Sequence, residues 1–195
     1  MENSSFERAI VWHCAPTLAG IKPASLLSLS AQQFPSLPEI TDWYNHLLQK
    51  RGLSFLRLCH CRRGALLLVY REDQLTRALQ DPRAQAMLLD TGYPMDGDLN
   101  DLLHHLTFRL EREGGFPHEI GLFLGYPPED VEGFLTDVDG TGCKLCGVWK
   151  VYHDVEGAKH TFARYRNCRD TLWAKMEEGA TLRQLFSVDK LSRIA

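Results

Sequence analysis

The sequence predicts an α+β fold: a small, mostly antiparallel three-stranded sheet over about residues 53–59, 65–70 and 148–152, packed with several helices. Three observations carry that expectation. The run Ala65-Leu66-Leu67-Leu68-Val69 is apolar throughout, as in a strand buried on both faces at the centre of a sheet. Leu99, Leu102, Leu103, Leu106 and Leu110 recur at helical spacing. A second helical line, Val155, Ala158, Phe162, Tyr165, Leu172 and Met176, starts just after the capping residue Asp154 and stops before Gly179.

In chain order, Ser4 or Ser5 caps a first helix that runs to about His13. Cys14 to Pro23, with two prolines and a glycine, reads as an ordered loop, and Pro23 suits the first turn of a short helix to about Leu29. A helix from about Glu39 to Lys50 presents Ile40, Tyr44, Leu47 and Leu48 on one side. A hairpin follows, with Leu53–Cys59 and Ala65–Tyr70 as strands and His60–Gly64 as the turn region. Glu72 to Asp90 holds two short helices broken at Asp81-Pro82. The leucine-lined helix then runs to about Arg112, and short helices follow near His118–Leu124 and Pro128–Thr136, separated by Gly125-Tyr126-Pro127-Pro128. Val148–Tyr152 is the third strand, and Leu182 to Phe186 a last helical turn after the long helix.

Composition narrows the function classes. A chain of 195 residues, 44% apolar, fits one domain (residues 1–195) with a sizeable core. A net charge of −3 and a pI near 6.2 argue against a dedicated nucleic-acid binder. There is no apolar run long enough to span a membrane, and Met1 to Arg8 lacks the basic and apolar regions of a signal peptide. The expected location is therefore the cytoplasm, where thiols stay reduced, and the six cysteines read as core side chains, metal ligands or redox thiols.

Three stretches carry a family resemblance. They are His13-Cys14-Ala15-Pro16-Thr17-Leu18-Ala19-Gly20 with Lys22-Pro23, then His118-Glu119-Ile120-Gly121 with Phe123-Leu124-Gly125-Tyr126-Pro127, and last Cys146-Gly147-Val148-Trp149-Lys150-Val151-Tyr152 with Tyr165 and Cys168. In these the chain resembles the domain of unknown function 3793 (DUF3793), a family of clostridia and related anaerobic Firmicutes. The resemblance implies a cytoplasmic bacterial protein of one domain and assigns no activity, so no catalytic residue follows from it.

The chemistry-bearing candidates are mainly cysteines. Cys143 and Cys146 stand two residues apart between Gly142 and Gly147, so both sulfurs can turn to one point, and Lys144 would favour their thiolates. With Cys59 and Cys61 they could form a four-thiolate site for zinc or an iron–sulfur cluster. That depends on topology: with strand 148–152 antiparallel to the central strand the two pairs stand about 17–20 Å apart, and with it parallel they meet. Cys168, three residues after Tyr165 and four before Leu172, falls on the apolar face of its helix and is expected to pack in the core. Cys14 beside His13 is a weak catalytic candidate, since sequence neighbours on a helix seldom face each other.

Lys22, Lys144, Lys150 and Arg166 could hold a small anionic ligand, helped by Lys159, Arg164 and Arg169. His118-Glu119 is no zinc-protease motif, because Leu122 stands where the second histidine would be. No phosphate-binding loop, dinucleotide fingerprint or nucleophile elbow is present. Two readings follow. One is a thiol protein acting in metal binding or redox chemistry through Cys143/Cys146. The other is an enzyme or sensor that binds an anionic ligand through the Cys14–Lys22 segment and basic residues near Lys150, with structural cysteines. A protein partner is the third possibility.

Overall fold

The computed structural model describes residues 2–61, 64–112 and 116–187, apart from the side chains of residues 2, 3, 59–61, 112, 186 and 187. It is an α+β fold with nine α-helices, a three-stranded antiparallel sheet and a two-stranded ribbon among those residues. The chain divides into two compact units, residues 1–73 with 164–195 and residues 74–163. No helix among the described residues is long and apolar enough to cross a membrane.

The first unit is built on strands β1 (Ala24–Ser30), β2 (Ser54–Cys61) and β3 (Gly64–Tyr70), in the order β1-β3-β2. β3 is central, as its apolar run predicts, with Leu67, Leu68 and Val69 wholly buried. One face of the sheet, carrying Leu27, Leu29, Phe55, Leu67 and Val69, shares a core with α1 (Glu2–Leu18), α2 (Leu37–Leu48) and the last part of α8 (Val155–Glu177). Phe6, Tyr44 and Phe55 form its aromatic centre, with Phe6 stacked on Tyr44 at 5.2 Å. A bulge between Arg57 and Cys59 shifts the β2 register, and Leu58 is fully buried there.

The third strand corrects the expectation from sequence. It is Ala24–Ser30, antiparallel to β3 from Ala24↔Tyr70 to Ser30↔Gly64, where a short helix was expected. Its period-two signal, Leu27 and Leu29 in the core against exposed Ser28 and Ser30, is outranked in the sequence by Pro23, which suits a helix start as well as a strand edge. With β1 and β2 on its two edges, β3 has no edge left for residues 148–152.

The loop expected from Cys14 is likewise helix as far as Leu18, with Pro16 inside it. Proline removes the bond to the carbonyl of Trp12. The turn holds because Cys14, Ala15, Thr17 and Leu18 are buried and because Arg71 grips its end, Nε donating to the Thr17 carbonyl at 2.7 Å and Nη2 to that of Leu18 at 2.5 Å.

In the second unit α3 (Glu72–Leu79, which begins at the unit boundary) and α4 (Pro82–Asp90) break where Asp81-Pro82 predicts, and the Asp81 carboxylate caps α4 by accepting from the amides of Arg83 and Ala84. α5 (Leu99–Arg112) buries Leu102, Leu103 and Leu106. α6 (Ile120–Phe123) and α7 (Pro128–Thr136) are separated by Gly125, which sits at φ 70°. Strands β4 (Leu145–Cys146) and β5 (Lys150–Val151) close a short ribbon, Asp154 caps α8 by accepting from Gly157 N at 2.9 Å, and α9 (Leu182–Ser187) belongs to the first unit.

Candidate functional site

Residues 143–151 fold back on themselves as a tight antiparallel ribbon. Leu145 pairs with Val151 and Cys146 with Lys150, while Lys144 N donates to the Val151 carbonyl at 2.8 Å and Gly147 N to that of Trp149 at 3.0 Å. This pairing explains why Lys150–Val151 joins no larger sheet: its hydrogen bonds go to the cysteine segment itself. Gly147 is required at the turn, because a Cβ there would run into the Phe162 ring. Gly133 of α7 packs against Tyr152 in the same way, where a Cβ would come within 2.6 Å of the side chain.

A buried carboxylate fixes the ribbon to α7. Asp130, 3% exposed, accepts from Trp149 Nε1 at 2.7 Å through one oxygen. Its other oxygen accepts from the amides of Tyr152 and His153 at 2.8 and 2.9 Å. Trp149 is stacked on Tyr126 at 5.1 Å and meets Phe162 edge-on at 4.6 Å. A second carboxylate ties down the loop before Cys143. Asp137 accepts from Gly142 N and from the Tyr152 hydroxyl, each at 3.0 Å. The Gly142 bond, the Tyr152 bond and the nearby Lys150 charge hold Asp137 below the usual carboxylate range. Tyr152 is pushed up to about 12 by desolvation, by its bond to Asp137, and by the charges of Asp137, Cys143 and Cys146.

On this support the Cys143 and Cys146 sulfurs stand 3.2 Å apart, the first half-buried and the second exposed, both as free thiols. The Cys146 thiol is pushed up, chiefly by its hydrogen bond with Cys143, and Lys150 pulls against that shift. The cation acting on Cys146 is thus its cross-ribbon partner Lys150, where the sequence reading looked to Lys144. Sulfurs this close need a small movement to reach the roughly 2.05 Å of a disulfide. A tetrahedral metal with bonds of about 2.3 Å would hold two sulfurs about 3.8 Å apart, so the pair is also near the geometry of half a zinc site. Among the described residues there is no group of three or more His, Cys, Asp or Glu side chains able to hold a metal ion. The side chains of Cys59 and Cys61, the other two expected ligands, lie outside the described residues.

The remaining candidates lie elsewhere. Cys14 is wholly buried, and burial pushes its thiol up to about 12 against the opposing pull of Lys22 and a hydrogen bond with Ser25. Its neighbour His13 is exposed. Lys22 is buried too, lowered by desolvation to about 8, with its Nζ 6.0 Å from the Tyr165 ring centroid. Cys168 packs as expected, buried with Tyr165 and Leu172, its thiol donating to the Ala15 carbonyl at 3.4 Å and pushed up to about 11 by burial. Lys22 and Arg166 belong to the first unit, Lys144 and Lys150 to the second. Lys159 pairs with Glu156 at 2.7 Å, and Arg169 pairs with Asp170 and lies over the Trp12 ring. His118 packs edge-on against Phe134 at 5.0 Å, and Glu119 is buried, accepting from Tyr93 and pairing with Arg109 at 3.0 Å.

The sequence reading missed Asp130, Asp137 and Tyr152. An acidic residue in the first turn of a helix is an ordinary N-terminal preference, so nothing local marks Asp130 as buried. The one available signal is the nearby tryptophan, whose indole N–H needs an acceptor once the ring is covered.

The model of the family described as "Protein of unknown function (DUF3793)" matches residues 10–186, and the chain belongs to that family. No curated protein and no solved structure matches it.

Proposed function

We propose that in this member of the DUF3793 family Cys143 and Cys146 act as a reversible dithiol/disulfide couple that exchanges with a protein or small-molecule disulfide. The observation that carries this reading is the 3.2 Å approach of two free thiols, one of them exposed, on a ribbon held by Asp130 and Asp137. In the exchange, the thiolate of one cysteine attacks a sulfur of R–S–S–R, forming a mixed disulfide and releasing RS⁻. The second thiolate then attacks the protein sulfur of that mixed disulfide, closing Cys143–Cys146 and releasing the second RS⁻. Two protons leave the cysteines, two electrons pass to the incoming disulfide, and the reverse sequence reduces the protein.

The support for metal binding is narrower, since Cys143 and Cys146 supply two ligands and zinc or a cluster needs about four. The anionic-ligand reading built on the Cys14–Lys22 segment is weakened by the burial of both side chains.

The test traps the mixed disulfide. Anaerobically purified, reduced protein is incubated with glutathione disulfide and the peptides are mapped, with metal content measured on the same sample. Wild type should yield a linked Cys143/Cys146 peptide pair, and Cys143→Ser should accumulate glutathione on Cys146. Failure of both products, with Cys143 and Cys146 still titrating as thiols, overturns the redox reading. Stoichiometric metal lost in the Cys143→Ser/Cys146→Ser protein would favour the metal-binding one.

A further inference from the structure

A cleft of about 250 Å³ opens in the second unit, among the segment before α6, the α6–α7 turn, α7 and β5. Its walls are aromatic. Phe116, Phe134, Tyr126 and Trp149 line it together with His118, and Phe116 is 49% exposed at its lip. The rings are fixed in place: Tyr126 is stacked on Trp149 and His118 is set edge-on to Phe134. Two charged groups line the space. Asp130 has both oxygens committed to Trp149, Tyr152 and His153. Lys150 is exposed, with its Nζ 5.1 Å from the centroid of the Phe134 ring.

We infer that this cleft is a binding site for a small planar aromatic carboxylate, its ring system between the aromatic walls and its carboxylate on Lys150. The walls favour a flat apolar body, because aromatic faces pack best in offset or edge-on contact. The Lys150 ammonium selects the charge. It already covers one face of Phe134, so a cationic ligand would lose that ring and meet a like charge. An amine-bearing or quaternary ammonium ligand is therefore disfavoured despite the aromatic lining. Apolar pockets with a few placed polar groups are the usual form of small-molecule sites. The site shares Lys150, the cross-ribbon partner of Cys146, with the thiol couple, and binding there needs no change at either sulfur.

The experiment uses the whole chain kept reduced, titrated with 2-naphthoate, with its neutral analogue 2-naphthamide and with 2-naphthyltrimethylammonium, by calorimetry and backbone amide NMR. The inference expects one saturable naphthoate site with a dissociation constant on the order of 0.1 mM, with amide shifts confined to residues around Phe116, Tyr126, Phe134 and Trp149. Lys150→Met, which keeps an apolar stem at an exposed position, should weaken naphthoate about fivefold and leave the amide within about twofold. Phe116→Ala, also exposed, should weaken both. Absence of saturable naphthoate binding, equal loss of both ligands in Lys150→Met, tighter binding of the ammonium compound, or shifts mapping elsewhere would each overturn it.

Discussion

The indole of Trp149 donates from Nε1 to Asp130 Oδ2 at 2.7 Å, and the other oxygen of that carboxylate takes the amides of Tyr152 and His153. One side chain of α7 thereby satisfies three buried or half-buried donors of the ribbon that carries the cysteines. Replacing one oxygen by an amide nitrogen would set N–H against N–H. Asp130→Asn should therefore cost about 3 kcal/mol of unfolding free energy, read from urea midpoints, and should also raise the exchange rate of the Tyr152 and His153 amides.

Gly147 lies against Phe162 so closely that a methyl group has no room. Gly147→Ala should destabilise the protein by about 1–3 kcal/mol. Gly140→Ala, where a Cβ meets nothing within 4 Å but the backbone is at φ 69°, serves as the comparison for backbone strain alone. Gly147 has no positive φ, so its cost is that of the close approach, and a Gly147→Ala protein as stable as wild type would show that the approach contributes nothing.

Burial separates the thiols into two classes. Cys14 and Cys168 are 0% and 2% exposed with their thiols pushed up to about 12 and 11, whereas Cys146 is exposed. In native protein, iodoacetamide should alkylate Cys146 at least about a hundredfold faster than Cys14 or Cys168, since the thiolate is the nucleophile and must be reached. The Cys146 rate should keep rising above the ordinary cysteine range, because its bond with Cys143 raises it. Peptide mapping over time, with urea-unfolded protein as the reference, gives the rates.

Lys22 supplies a pH dependence of defined sign. Its value falls from 10.5 to about 8 in the folded protein, mainly through desolvation, so between those values the unfolded chain binds more protons. The penalty for burying the charge is full below about pH 8 and is relieved as pH rises toward 10.5. Lys22→Met should thus raise the unfolding free energy at pH 7 by up to about 3 kcal/mol, with a smaller gain at pH 9.5. Comparing variant with wild type at each pH is needed, because raised Cys14 and Cys168 titrate in the opposite sense: their contribution is present below 9.0 and is lost as pH climbs toward about 12 and 11. A gain that grows with pH would contradict the account of Lys22.

Much of the architecture was legible because it rests on periodicity. The apolar run of β3, the Asp81-Pro82 break, the leucine line of α5 and the Asp154 cap each name their element locally. The errors came where a local signal has two meanings. Pro16 and Pro23 mark a loop and a helix start by composition, yet burial of Cys14, Ala15 and Leu18 carries α1 past the first, and pairing with β3 makes a strand after the second. The strand expected at 148–152 instead turns back on the Cys143–Cys146 segment, a choice set by Gly147 and by the Asp130 carboxylate eighteen or more positions away. The cysteine spacing pointed to two sulfurs that do lie together, 3.2 Å apart. What it could not reveal is the support beneath that pair, which is made by residues distant in sequence.

The central claim, that Cys143 and Cys146 form a reversible couple, is tested most directly by equilibrating the protein in glutathione buffers of graded potential and trapping the thiols at acid pH. The account predicts one two-electron transition, a loss of two protons' mass from the intact chain, and a link that maps to Cys143–Cys146 and reopens on returning to reducing buffer. Both sulfurs remaining as thiols or as separate glutathione adducts across the whole range would contradict it.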